Sequence, residues 1–514
     1  MKEFNEFIKE NRKFWSQFAI KNSGKKLLIE EPGRIYIKSI FAMIINQAKG
    51  YIPVWLCEKN LQQHQLIQSY FPDAEIITTQ MKWLPKKLYA AIIAFFKFIK
   101  ILLFKNILGF HYDRVNYGDI IYDMYLEKNK VATIKKIDFK LLKIIATYIF
   151  RHIKIKTILQ NGNYAGVLVS HMIGSSGVML RSALRYGYEG YLYTGAGPDF
   201  VVFQRFKKLE EISYPHEPTR SDIREIIKQL GPKLKKVFLE VLKRQVSGKG
   251  SVDGLNAFSK NHKYYINRES FNKDYELNPN KKNIFIMLHA LNDHPHTHFH
   301  WMIFKDYYDW LVETLEFAKK NKKVNWIFKQ HPSIKWFAIN DVNFKKLFSK
   351  CPNNVLFIDE NKQIDTRSLI YCADLIVTCI GSAGFELPAM GAIPSIIAGD
   401  SFYTKLGFTL EPKTKEEYFE ILDKADKIKK LTTRAQKIAQ AAYIYIYQTS
   451  KVKISIRPAI ATRGIKEKNK NINPKYWKRV CKQYSTEKDS VLKELNCYIK
   501  DVQKPGFKKL INKI

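Results

Sequence analysis

Short apolar runs alternate with helix-period stretches through both halves of this chain. In the first half Leu27–Ile29, Tyr51–Leu56 and Glu75–Thr78 read as strands, and Leu61–Tyr70 as a helix between two of them. The rhythm resumes with a strand at Val167–Ser170, a helix through Val178–Tyr186 and a strand at Gly190–Tyr193. Residues 219–247 read as one long basic helix. A second set follows, with strands at Ile284–Leu288, Val324–Phe328, Val355–Ile358, Leu375–Thr378 and Pro394–Ala398. Its helix Tyr307–Asn321 puts Trp310, Leu311, Leu315 and Ala318 on one face. Strand–helix alternation at this pitch predicts parallel sheets covered by helices. The expected fold class is therefore α/β, with two doubly wound, Rossmann-like domains facing a central cleft. The expected boundaries are 1–250, a linker over 251–280 in a polar stretch that begins with Gly248, Gly250 and Gly254, and 281–450. A basic C-terminal helical extension covers 451–514.

Charge adds partners to this picture. The chain has 514 residues and a net charge of +38, which attracts phosphorylated substrates, anionic lipid or nucleic acid. A Lys-, Ile- and Asn-rich composition from codon bias is the plain alternative. Residues 451–514 alone carry 18 basic and 5 acidic residues. They read either as helices returning to the first domain or as a solvated basic tail. Residues 82–110 hold six lysines and no acid. Five of the lysines fall within a sector of about 140° on a helical projection, opposite Phe, Leu and Ile. The longest charge-free run, Leu88–Phe96, is too short to span a bilayer. The segment is expected to lie on an anionic membrane surface; the alternative is a helix docked on the sheet with its lysines in water. Six cysteines without CxxC spacing and an acidic N-terminus without a secretion signal point to the cytoplasm. Peripheral association with the inner membrane is the expected location.

Three loops carry candidate chemistry, each directly after a strand, where open α/β sheets bind ligands. After Val324–Phe328 come Lys329, Gln330, His331 and Pro332. A cationic or hydrogen-bonding side chain there stabilises the charge that grows on a departing phosphate. After Leu375–Thr378 come Gly381, Ser382, Ala383, Gly384, Phe385 and Glu386. Small residues let a phosphate approach the amides of a helix start, and Glu386 can accept from ribose hydroxyls. After Pro394–Ala398 lies Tyr403, a candidate to stack on or bond to the ligand. Each loop taken singly also suits an ordinary strand–helix junction. Five histidines, His289, His294, His296, His298 and His300, surround Asp293. No cysteine or HExxH pattern accompanies them, so no metal is expected. His289 or Asp293 is a candidate base for an acceptor hydroxyl, with His171 as rival.

In this order, Lys329-x-His331-Pro332, then Gly381-Ser382-Ala383-Gly384-Phe385-Glu386, then Gly399-x-x-Phe402-Tyr403 and Gly407-Phe408-Thr409 resemble the bacterial capsule polysaccharide biosynthesis family, which includes Kdo transferases. Ser170-His171, Gly177, Arg181-x-Ala183 and Gly187 are similar to its upstream motif, as are Phe304 to Leu311. The resemblance spans roughly 165–420 and leaves the first 160 residues and the tail uncovered. It implies a GT-B fold, metal-independent transfer from a CMP- or UDP-sugar, and His331 and Ser382 near the donor phosphate. A glycan or lipid-linked glycan is the implied acceptor, and no cofactor beyond the nucleotide-sugar donor is expected. A glycerophosphotransferase or a UDP-sugar epimerase shares that architecture. A nucleic-acid-binding protein is the reading from charge alone, but no recognition helix, RNP motif or zinc finger is legible, so no nucleic-acid partner is expected.

Overall fold

A computed structural model describes residues 2–30, 35–57, 61–78, 83–194, 200–247, 262–297, 301–332, 334–360, 362, 364–456 and 474–512. The chain divides into two compact units. Met1–Ile121, Asp138–Pro215 and Lys451–Lys513 form the first, and Tyr122–Ile137 with His216–Ser450 the second.

The strands of the first unit are β1 (Lys26–Glu30), β2 (Ile52–Cys57), β3 (Glu75–Thr78), a short hairpin of β4 (His111–Tyr112) and β5 (Val115–Asn116), β6 (Tyr164–Val169), β7 (Glu189–Thr194) and β8 (Phe200–Phe206). The main sheet runs β3-β2-β1-β6-β7-β8, parallel except for β8, and the strand Val452–Lys453 pairs antiparallel outside β8. Strand order reverses between β1 and β6, the switch point of a doubly wound fold. Both faces are covered: Leu27 and Ile29 enter one core, Leu28 the other. That is why β1 reads as an apolar run rather than an alternation.

The helix Ile35–Lys49 is apolar nearly all round, and its residues from Ile35 to Gln47 are buried. Phe41 stacks on Phe203 with centroids 4.5 Å apart. On this helix packs Lys488–Gln503, through buried Val491, Leu495, Ile499 and Val502. The helix Pro474–Thr486 pairs with Lys2–Trp15, where Tyr484 stacks on Phe14 at 4.1 Å. The described residues of the C-terminal segment are thus part of the first core, not a solvated tail.

The second unit holds β9 (Asn283–Met287), β10 (Asn325–Lys329), β11 (Val355–Ile358), β12 (Leu375–Thr378) and β13 (Ser395–Ile397). They form an all-parallel sheet in the order β11-β10-β9-β12-β13, with its own switch point between β9 and β12. The protein is therefore a mixed α/β chain of two Rossmann-like units. The expected boundary near 250 needs correction. The helices Arg220–Leu230 and Leu234–Val246 bury Ile223, Ile226, Phe238 and Val241 against Phe385 and Tyr443 of the second unit. They are also two helices rather than one, because Gly231 at φ +47° and Pro232 interrupt the ladder. Residues 248–261 of the expected linker lie outside the described residues. An earlier segment joins this unit as well. Tyr122 donates to Asp306 at 2.6 Å, and buried Asp123 accepts from the amides of His296 and Thr297.

Candidate active site

Strand register places one row of residues across the second sheet. Lys329 pairs with Met287 and Ile358, and Thr378 pairs with Ile397 while its neighbour Val377 faces Ile286. The loops after β9, β10 and β12 therefore leave from one edge, at the switch point where Rossmann-like sheets bind ligands. His289, Lys329, His331, Gly381, Ser382 and Glu386 all belong to this edge.

His289 ties two of the loops together. Its Nε2 accepts from the amides of Cys379 (3.3 Å) and Ile380 (3.4 Å) and lies 3.0 Å from Thr378 Oγ1. Thr378 Oγ1 in turn accepts from the Gly381 amide at 3.1 Å. The imidazole stacks on Tyr307 at 4.2 Å. Burial, with the neighbouring His331 adding to it, pushes the His289 pKa down to about 3. A neutral ring whose nitrogen already receives two amides is a scaffold for the loop and a poor proton acceptor. The expectation of His289 as base is corrected on this ground.

The β12 loop turns into the helix Ala383–Gly391, with Ser382 exposed at its start. The amides of Gly384, Phe385 and Glu386 bond back to Gly381 and Ser382, so the first turn is already closed. The amides that precede it, at Ser382 and Ala383, are the helix-start donors that suit an anion. His331 is half-buried just past the end of β10, which β9 separates from β12. Lys329 is only 2% exposed, on the sheet face that also carries Ile327. Burial pushes its ammonium down to about 8, opposed by the nearby Asp365 carboxylate. Its burial leaves it almost no surface for a direct contact. Glu386 is buried one turn into the helix and accepts from Tyr447 Oη. Tyr447 lies in a π-helical turn, Tyr445–Thr449, that continues the helix Thr433–Ile444.

Two expected ligand contacts have another role. Tyr403 is fully buried, and its hydroxyl donates to the Gly381 carbonyl at 2.8 Å. It props the glycine loop from beneath and has no surface to offer a ligand. Gly384 is small because of that ring: a Cβ there would overlap Tyr403 Oη and lie 2.7 Å from Ile397 Cδ1. Gly384→Ala is expected to destabilise the unit by about 2 kcal/mol, read as a lower urea midpoint. Adding Tyr403→Phe, which removes the overlapping oxygen, should recover part of the loss. An unchanged midpoint for the single variant would show that the loop yields freely.

The remaining candidates are on the β9 loop and in the first unit. Asp293 is half-buried on the loop after His289. In that loop His294 lies 3.6 Å from Glu127, and Tyr122 meets the His296 ring edge-on at 4.7 Å. His298 and His300 lie outside the described residues. Among the described residues no group of three or more His, Cys, Asp or Glu could hold a metal ion. His171 follows β6 at the switch point of the first unit, exposed, with Nδ1 3.0 Å from Ser170 Oγ.

Sequence reasoning passed over Thr378, Asp123, Tyr447 and a cavity. The cavity, of about 520 Å³, opens at the ends of β10 and β11 beside His331. Gln330, Asn340, Asp341, Lys345, Asp359 and Glu360 line it, with the parallel-stacked rings of Phe344 and Phe357. The lining is polar, with Asp341, Asp359 and Glu360 against Lys345.

No family model matches the chain, and no curated protein matches it by sequence. Solved structures similar to it include KpsC, a beta Kdo 2,4 transferase of Thermosulfurimonas dismutans, at 13% identity over 57% of this chain and 82% of that one, with a TM-score of 0.34. The UDP-GlcNAc 2-epimerase of Neisseria meningitidis, bound to UDP-GlcNAc, is 11% identical over 82% and 95% of the two chains, with a TM-score of 0.26. MurG of Acinetobacter baumannii is 12% identical over 82% and 94%, with a TM-score of 0.24. TM-scores this low assign neither a reaction nor a ligand.

Proposed function

We infer that this chain is a metal-independent glycosyltransferase of the GT-B type, which moves a sugar from a CMP- or UDP-linked donor onto a surface or lipid-linked glycan. The observation that carries the reading is the shared edge of β9, β10 and β12. A helix start at Ser382, an imidazole at His331 and a buried charge at Lys329 all stand at strand ends on that edge, the kinds of group that a departing phosphate needs. Tyr447 orients the Glu386 carboxylate, and a carboxylate can accept a ribose hydroxyl besides. The polar cavity at Gln330, the residue before His331, suits hydroxyl groups, because its carboxylates and side-chain amides accept from and donate to sugar hydroxyls. It is the proposed seat of a hydroxyl-rich part of a substrate. Asp293 and His171 are the two groups proposed for deprotonating the acceptor.

The test is a thermal-shift panel of CMP-, UDP- and GDP-sugars. At least one is expected to raise the melting temperature of the natural protein. Ser382→Asp should abolish that shift, because a carboxylate would stand at the phosphate position, and the exposed Ser382 side chain makes no cap bond to lose. A protein that no nucleotide sugar stabilises, or an Asp variant that responds like the natural one, would overturn the reading.

A further inference from the structure

The helix Leu84–Phe104 carries its apolar face outward. It docks on the helix Phe139–Gln160 through Ala90, Ala94, Phe98 and Ile101, which are buried. The opposite face is an unbroken apolar surface of Leu88, Ile92, Phe95, Phe96, Leu102 and Leu103, with Phe96 66% and Leu103 73% exposed. This is not the helix docked on the sheet that the sequence left open as the alternative, since it packs on another helix and leaves its broad apolar face uncovered. At 1.5 Å per residue the helix presents this face over about 30 Å. An exposed apolar patch of such extent on a soluble fold marks an interaction surface.

The lysines tell which surface. They flank the apolar face along the seam with the second helix. Lys86 donates to Thr157 Oγ1 at 2.9 Å, and Lys87 lies over the Phe150 ring at 5.6 Å. Lys100 is exposed on the flank. The helix Leu84–Phe104 has four lysines and Phe139–Gln160 five Lys or Arg, and neither has an Asp or Glu. Two copies meeting through this face would set lysine rows against each other with no acid between them. An anionic lipid surface neutralises them, with ammonium groups at headgroup level and the apolar face in the acyl boundary. Crossing the bilayer is not in question: among the described residues no helix is long and apolar enough to span a membrane.

We propose that Leu84–Phe104 is a monotopic docking helix that lies in the interface of an anionic membrane. The proposal is independent of the sugar-transfer reading and would stand if that reading failed. The test is sedimentation of the full chain with vesicles of phosphatidylcholine alone and of phosphatidylcholine with about one third phosphatidylglycerol. The natural protein is expected to pellet with the anionic vesicles and much less with the neutral ones. Leu88→Ser, Phe96→Ser and Leu103→Ser together should weaken that binding at least about tenfold. Lys87→Glu with Lys100→Glu should do the same. All five positions are exposed, so both variants should keep the natural far-UV circular dichroism and melting temperature. A natural protein that ignores anionic vesicles would overturn the proposal, as would a serine variant that binds them equally well. So would self-association through this face, seen as dimers that the serine variant loses while neither form binds lipid.

Discussion

His331→Ala is expected to lower the turnover number by a factor on the order of 10² or more, with little change in melting temperature. The side chain stands half-buried at a strand end, and the His331 backbone carbonyl accepts from the Ile334 amide whatever the side chain is. On the proposed sugar-transfer reading, what is lost is a group beside the departing phosphate, whose charge grows as the sugar bond breaks. Release of nucleotide from whichever donor stabilises the protein is the readout. His289→Ala is the informative contrast. It removes the acceptor of two loop amides, so it should lower the melting temperature along with the rate. Normal turnover in His331→Ala would remove this residue from the chemistry. A rate loss matched by an equal loss of stability would make it structural.

Lys329→Met should make the fold more stable and the donor weaker. Burial holds the Lys329 pKa near 8, below the 10.5 of a free lysine. Between those values the folded chain keeps the amine neutral while the unfolded chain protonates it. Lys329 therefore adds stability as pH rises from about 8 to above 10, and below 8 its buried charge costs the fold. Methionine removes that cost, on the order of 3 kcal/mol at pH 7. Asp365 is not orphaned by the change, because Arg367 holds it at 2.6 Å. Donor affinity should move the other way. In the natural protein it should fall as pH rises through about 8, when Lys329 loses its charge. In the methionine variant it should be weaker and free of that step. Calorimetric titration from pH 6.5 to about 9.5 reads both effects. A variant that is less stable at pH 7, or natural affinity that is flat across pH 8, would sink the assignment.

What the sequence disclosed follows the physics of local pattern. The strands of the second unit could be placed to within about a residue, because each is an apolar run bounded by turn chemistry. The common edge of Lys329, His331 and Ser382 was legible for the same reason: parallel strands send their loops out on one side. Contacts between distant parts of the chain left no such trace. Nothing near Glu386 announces Tyr447, sixty-one residues away, and nothing near His296 announces Asp123. Tyr403 misled because an aromatic in a glycine-flanked loop looks the same from sequence whether it faces a ligand or props a backbone. The helix near residue 90 was legible in its outward apolar face: Phe95, Phe96, Leu102 and Leu103 are exposed, as its pattern predicts. The neighbour it docks on through Ala90 and Ala94 left no trace in the local pattern.

The chain's path has a consequence for its synthesis. It passes between the two units after Ile121, Ile137, Pro215 and Ser450. The second unit has all of its residues up to Ser450 once the ribosome has passed that point. The first does not: the strand beside β8 and the two helices that cover Lys2–Trp15 and Ile35–Lys49 lie beyond Ser450, and are translated after the second unit. The unit begun first is therefore finished after the other. Until those residues emerge, the nearly all-apolar helix Ile35–Lys49 waits without its cover, a window in which chaperone binding or aggregation competes with folding.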